Sequence, residues 1–387
     1  MKRVISILMI PAMLLVSTML LVSVSCSSPE DLEDNPVLKV AVVTALTGPV
    51  ADLGAQGKYA AELAVERINA NGGIKGAQVE AVIFDDKADV VEAALVAQRI
   101  SEDEDYLCIV GHLFSSAALA ALPIYEQAGL PYFATTANSR SLVSNNMIRM
   151  CLPTDVQGPQ FADFTADDLG GKKIALIYAM GDYGVMMIEQ IGTRIDEIGT
   201  ADIVLRESFA AGSDRDFSAH LTKVLSVDAD TVICIGDYTD VGLIIAQASR
   251  MGGFESVNFI GDASCLDSTF ITRVVESGFE DNIYLLCDFN PYDNRQVFTD
   301  FFKDFHERYN VGDPTLPAAF YYDQLMIISQ AMNTGATKET LVSKIKEMTF
   351  TDMLSSGGEM TFDERGDRDG YTMYVVAVRD GKFTTLN

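Results

Sequence analysis

The chain has 387 residues and a formal net charge of −27, from 55 acidic and 28 basic side chains, a balance that opposes electrostatic binding to nucleic acid or to anionic lipid headgroups. An acidic surface is also simply a well-solvated one, so the charge alone identifies no cationic ligand. Three histidines lie far apart and six cysteines are scattered with no CxxC pair, which supplies neither zinc-ligand spacing nor a disulfide framework.

Lys2 and Arg3 precede an apolar run over residues 4–24, which closes on Ser23-Val24-Ser25-Cys26. A short basic start, an apolar stretch and small residues before a cysteine describe an export signal of the bacterial lipoprotein kind. Residues 1–25 are then a signal peptide, Cys26 is the lipidated first residue of the mature chain, and 26–36 form a polar tether. Ser23 stands where the lipobox usually carries Leu, and an apolar run of this length also suits an uncleaved membrane anchor. Both readings put the remainder outside the cytoplasm, anchored to the membrane.

The folded part begins at Leu38. A buried strand runs to Thr44 and ends in the small-residue loop around Gly48-Pro49, a helix covers 55–70, and the turn Asn71-Gly72-Gly73-Ile74-Lys75-Gly76 feeds a second strand over 77–84 that stops at Asp85-Asp86. This is the opening βαβ unit of a parallel sheet, whose ligands gather at the carboxyl ends of the strands. A strand at 106–111, a helix at 115–127 and strands at 130–136 and 147–152 follow. The second half repeats the rhythm: strands at 173–179, 203–208, 231–236 and 257–261 alternate with helices at 183–198, 214–226 and 241–251. A strand at 283–289, helices at 294–309 and 315–334, and a polar hairpin pairing 359–362 with 372–379 complete the chain. Such alternation implies parallel sheets covered by helices, and about 350 residues exceed one ordinary core. The fold class is α/β in two similar lobes.

Chemistry-bearing motifs are absent. No GxGxxG follows the first strand, and there is no GxxxxGK[ST], GxSxG or HExxH. Asp85-Asp86 and the acids at 214–216 read as strand-end carboxylates that cap loops and helices. Cys108, Cys234 and Cys287 sit inside apolar strand-like runs, where a thiol packs as a small hydrophobe; one bridge among the five later cysteines stays open. An enzyme, a metal and a cofactor are not expected.

Five segments, in order, resemble the leucine/isoleucine/valine-binding proteins of branched-chain amino-acid ABC transporters, members of the type I periplasmic-binding fold. They are residues 41–54 with Gly72 to Gly76 and Asp85-Asp86, then Gly111-His112-Leu113-Phe114-Ser115-Ser116, Asp182-Tyr183-Gly184, Asp214-Arg215-Asp216-Phe217-Ser218 and Thr361-Phe362-Asp363-Glu364-Arg365-Gly366-Asp367. The resemblance implies two lobes joined by three crossovers, lobe 1 being 37–156 with 286–358 and lobe 2 being 157–285 with 359–387. It implies a ligand held between them, an ABC permease and ATPase as partners, and a monomer.

The resemblance also assigns roles. Ser115, at a helix start, holds an amino-acid carboxylate; Thr136, Ala137 and Asn138 end the next strand, Thr136 offering its carbonyl and Asn138 an amide where relatives carry Thr. Tyr183 and Tyr238 close over the ligand from lobe 2. Relatives place a Glu against the ammonium where Ala263 stands here, which leaves the adjacent Asp262 as the acid within reach. Leu53, Leu113 and Phe114 form the side-chain wall, and Phe114 replaces a smaller residue, so the expected ligand is a small amino acid, branched-chain or related. Two other readings stay open: an importer component for amides or urea-like solutes, and a ligand-sensing module that signals through a separate membrane partner.

Overall fold

A computed structural model describes residues 37–48, 50–290 and 292–386; the expected signal peptide, Cys26 and tether lie outside them. In chain order the elements are β1 (Val37–Thr44), α1 (Ala51–Ala70), β2 (Gln78–Asp85), α2 (Val90–Ser101), β3 (Tyr106–Gly111), α3 (Ser115–Gln127), β4 (Tyr132–Ala134), β5 (Met147–Arg149) and α4 (Thr154–Asp163). The next group is β6 (Lys173–Ala179), α5 (Asp182–Ile198), β7 (Asp202–Phe209), α6 (Ser218–Ser226), β8 (Thr231–Ile235), α7 (Tyr238–Met251), β9 (Asn258–Asp262), α8 (Ser268–Ser277) and β10 (Ile283–Cys287). Then come α9 (Gln296–Tyr309), α10 (Leu316–Asn333), α11 (Leu341–Lys346), β11 (Thr361–Phe362), β12 (Arg368–Asp369), β13 (Tyr374–Arg379) and β14 (Lys382–Thr385).

Two sheets organise them. The first runs β2-β1-β3-β4-β5 and is parallel throughout; the second runs β14-β13-β10-β9-β8-β6-β7. In the second sheet β6 to β10 are parallel, and β13 with β14 add an antiparallel edge. The central strands β3 and β8 are buried along their whole length, as strands covered on both faces must be. The fold is thus the two-lobed type I periplasmic-binding architecture. Among the described residues the chain passes between the lobes three times, after β5, after β10 and after β12.

Local chemistry explains where the elements depart from expectation. Helix α2 was not expected; Asp89 begins it by accepting from the backbone N–H of Val91 and Glu92. Helix α6 starts at Ser218, not 214, because Asp214 and Asp216 are engaged in turns, accepting from Ala210 N and Ser218 N. The closing hairpin is corrected. Residues 359–362 do not pair with 372–379: β11 pairs with β12, while β13 pairs with β10 and β14. The small hairpin stays beside the first sheet, where Arg149 N donates to Gly366 O at 2.8 Å.

Among the described residues all five cysteines are buried free thiols, and no helix is long and apolar enough to cross a membrane.

Candidate ligand-binding site

The carboxyl ends of both sheets converge on one cavity of about 130 Å³, room for several waters and so for a small molecule. Eight of the ten residues singled out in the sequence line it: Leu53, Leu113, Phe114, Ser115, Thr136, Asn138, Tyr183 and Asp262. Ala137 and Tyr238 do not. Ala137 turns its methyl into the core of the first lobe, packed with Ala134 and Leu142, and Tyr238 is buried in the larger apolar cluster at the start of α7.

The loop that carries Leu113, Phe114 and Ser115 is fixed by its neighbours. Gly111 ends β3 at φ +142°, and a Cβ there would lie 2.2 Å from Val43 O, so only glycine lets the chain turn at this point. His112 is fully buried, with Nδ1 2.7 Å from Asp86 Oδ2 and Nε2 3.1 Å from Tyr125 Oη. Asp86 caps its own loop as the sequence suggested, Oδ1 accepting from Ala88 N at 3.0 Å, and its other oxygen anchors the histidine that precedes the Leu113 loop. Leu53 reaches the wall because Gly54 lets α1 approach β1; a Cβ on Gly54 would meet Ala45 O at 1.8 Å.

Helix α3 opens with no side chain capping it. Its first N–H groups are thus left for a ligand or solvent, an arrangement that favours an anion. Ser115 Oγ accepts from Ser139 N at 3.1 Å and keeps its own proton free to donate. Thr136 is occupied with the Leu113 carbonyl at 2.7 Å. Asn138 donates to Gln157 Oε1 at 3.3 Å, and the buried Arg149 donates to the backbone carbonyls of Asn138 at 3.5 Å and Ser139 at 3.0 Å.

Across the cleft Asp262 ends β9. Its Oδ1 accepts from Ser264 N at 2.8 Å and from Ser264 Oγ, and its Oδ2 accepts from Tyr183 Oη at 2.7 Å. Burial pushes the carboxyl up, and these hydrogen bonds only partly oppose the rise. A second carboxylate, Asp288, lines the same cavity, but it is paired with the buried guanidinium of Arg368. Among the described residues on this wall there is no lysine or arginine. Asp262 is therefore the carboxylate without a cation.

Gln157, Ser264, Leu266, Leu286, Asp288, Thr315 and Leu316 also line the cavity and were not foreseen. Ser264 carries a signal, since an Asp followed two residues later by Ser is an Asx-turn pattern. Leu266, Asp288 and Thr315 come from turns and crossovers, where neither period nor motif marks them, and Gln157, Leu286 and Leu316 sit in α4, at the end of β10 and at the start of α10, where nothing in the sequence tells a cavity wall from ordinary core. The combined wall offers donors for a carboxylate, an acceptor for an ammonium, and apolar side chains for the rest.

The profile of the periplasmic binding protein family matches residues 37–382. Among curated proteins, the leucine-, isoleucine-, valine-, threonine- and alanine-binding protein of Pseudomonas aeruginosa is 28% identical over 348 residues, covering 87% of this chain and 89% of that protein. The Leu/Ile/Val-binding protein of Escherichia coli is 27% identical over 344 residues, covering 87% and 90%. Among solved structures, the branched-chain amino acid transporter substrate binding protein LivJ of Streptococcus pneumoniae, in complex with isoleucine, matches with a TM-score of 0.80 at 25% identity, covering 90% of this chain and 97% of that one. A leucine binding protein of Thermotoga maritima shares the fold at a TM-score of 0.80 and 24% identity, covering 90% and 98%.

Proposed function

Because this chain belongs to the periplasmic binding protein family, we propose that it is an extracytoplasmic solute-binding protein of an ABC importer and captures a small amino acid, branched-chain or related, between its lobes. Its curated relatives are binding proteins, and the chain is a binding protein, not an enzyme. The observation that carries the ligand class is the uncompensated Asp262 in the same apolar cavity as the open N-terminus of α3. A zwitterion satisfies both at once. An uncharged solute leaves the carboxylate buried without a cation, which costs several kcal/mol, on the order of the penalty for any unpaired buried charge.

In this reading Ser115 and the first N–H groups of α3 hold the ligand carboxylate, Asp262 holds its ammonium, and Leu53, Leu113 and Phe114 face its side chain. Asn138 and Tyr183 close the site from opposite lobes. The lobes divide as 37–156 with 286–358 and 157–285 with 359–387, supported by the sheet that each long strand joins; the β11–β12 hairpin is the exception, being bonded to Arg149. Closure about the crossovers presents the loaded form to a permease, and ligand favours closure only by binding the closed state more tightly. Lipidation of Cys26 would keep the protein at the membrane, a reading supported by the sequence before it.

The test is a thermal-shift panel of amino acids, amides and small carboxylates on protein freed of carried ligand. A ligand at about 1,000 times its Kd adds about 4 kcal/mol, several degrees at this size. A shift with aliphatic amino acids is the expected result. A shift confined to amides or carboxylates would overturn the ligand class.

A further inference from the structure

A second cavity, of about 620 Å³, adjoins the first, and Leu266 and Thr315 line both. We infer that Leu266, backed by Thr315, is the partition that limits the length of the ligand side chain, and that the space beyond it is a distal subsite that admits aromatic amino acids once Leu266 is cut back. This rests on the amino-acid reading above.

The partition is rigid from both sides. Leu266 follows the short turn that Asp262 caps and precedes Asp267, whose Oδ1 accepts from Thr269 N at 2.6 Å to begin α8. Its backbone is therefore held between two capped turns, four residues from the proposed ammonium partner. Thr315 belongs to the other lobe. Its backbone N–H and its Oγ1 both donate to the buried Gln56 Oε1, at 2.8 Å each. A leucine between two capped turns and a threonine held by two hydrogen bonds thus line both cavities from opposite lobes, and both residues are almost fully buried.

The space beyond suits a ring. Tyr59, Phe289, Tyr292 and Phe383 line it together with Ile271, and it opens to solvent at the exposed Asp52 and Asp313. A side chain longer than leucine has to displace Leu266 before it reaches those rings. Differences of one methylene in an apolar pocket change selectivity by about 10- to 200-fold, so removing three carbons from the partition has a measurable effect.

The experiment is calorimetric titration of the full chain, wild type and Leu266→Ala, with leucine and with phenylalanine. The expected result is that the wild type binds leucine and not phenylalanine, while in Leu266→Ala the phenylalanine-to-leucine affinity ratio rises by about tenfold or more. Wild type that binds leucine, with an unchanged ratio in the variant, would overturn the partition and leave the proposed function standing. Wild type that binds phenylalanine as tightly as leucine overturns the partition as well. Wild type that binds neither leucine nor phenylalanine would overturn the partition, and the amino-acid reading then falls only if the thermal-shift panel shows no amino-acid hit. Should Leu266→Ala fail to fold, Leu266→Val is expected to move the ratio in the same direction by a smaller factor, and no movement there counts against the partition.

Discussion

Tyr183 donates its hydroxyl to Asp262 Oδ2 at 2.7 Å, which ties the start of α5 to the end of β9. Asp262 ends a strand of the second sheet, whereas Asn138 follows the β4 strand of the first. The phenol thus orients the carboxylate from within its own lobe before any ligand arrives, while Asn138 faces the same cavity from the other. Preorganisation of this kind lowers the ordering cost of binding.

Asp262→Asn tests the ammonium contact. Removing one partner of a buried charge pair costs about 3 kcal/mol or more, over a hundredfold in Kd. The unliganded variant is expected to be at least as stable as wild type at neutral pH, because burial disfavours the ionised carboxyl. Calorimetric titration with leucine, alongside urea unfolding without ligand, separates the two effects. Equal affinity in the variant and wild type would remove Asp262 from the site.

The same carboxyl sets a pH dependence. Its pKa in the unliganded fold is raised above 3.8 by burial, and an ammonium ligand needs the ionised form. Affinity is therefore full above the raised pKa and falls as pH drops through it, approaching tenfold per unit below it. Kd measured from about pH 8 down to about pH 4 should show this fall in wild type and its absence in Asp262→Asn. A flat wild-type profile would mean that the ligand brings no cation to Asp262.

How much of this was legible in the sequence follows from where each residue sits. Ser115, Asn138 and Asp262 end or follow strands of a βα repeat, and the alternation of apolar runs with polar turns marks such positions. Leu266, Asp288 and Thr315 lie in turns and crossovers, which have no period, and they reach the cavity only because the two lobes meet there. Helix α2 was legible and missed: Asp89 with Glu92 three residues later is a helix-start signature. The closing hairpin failed for a different reason. Residues 374–379 form an apolar run that reads as a strand, but such a run does not name its partners, and β10 and β14 took it.

Ser115→Ala removes the acceptor of Ser139 N and the hydroxyl proposed for the ligand carboxylate. A weakening of about 1–3 kcal/mol in ligand binding is expected, roughly 5- to 150-fold in Kd. Ser115→Thr keeps the hydroxyl and should recover much of that loss. Parallel titrations of both variants with one ligand show whether the hydroxyl is needed, and urea unfolding without ligand reports any disturbance of the loop held through Ser139 N; an unchanged affinity in Ser115→Ala would remove Ser115 from the site.

Asp240 gives a prediction about stability alone. It is fully buried in the first turn of α7, its Oδ2 accepts from Gly212 N at 2.9 Å, and its Oδ1 has no hydrogen-bond partner. Burial, with the neighbouring Asp237 carboxylate, pushes its pKa up to about 6. The folded-state pKa lies above the unfolded value of about 3.9. The folded chain therefore holds the proton more tightly, and the stabilising contribution present below the unfolded pKa is lost as pH rises towards 6. Asparagine keeps an acceptor for Gly212 N and carries no charge. Asp240→Asn is expected to be more stable than wild type by about 1–3 kcal/mol at pH 7 and equal to it near pH 4. Urea unfolding at the two pH values measures the difference, and a variant less stable at neutral pH would show that the pull of Arg215, 3.9 Å away, outweighs the cost of burial.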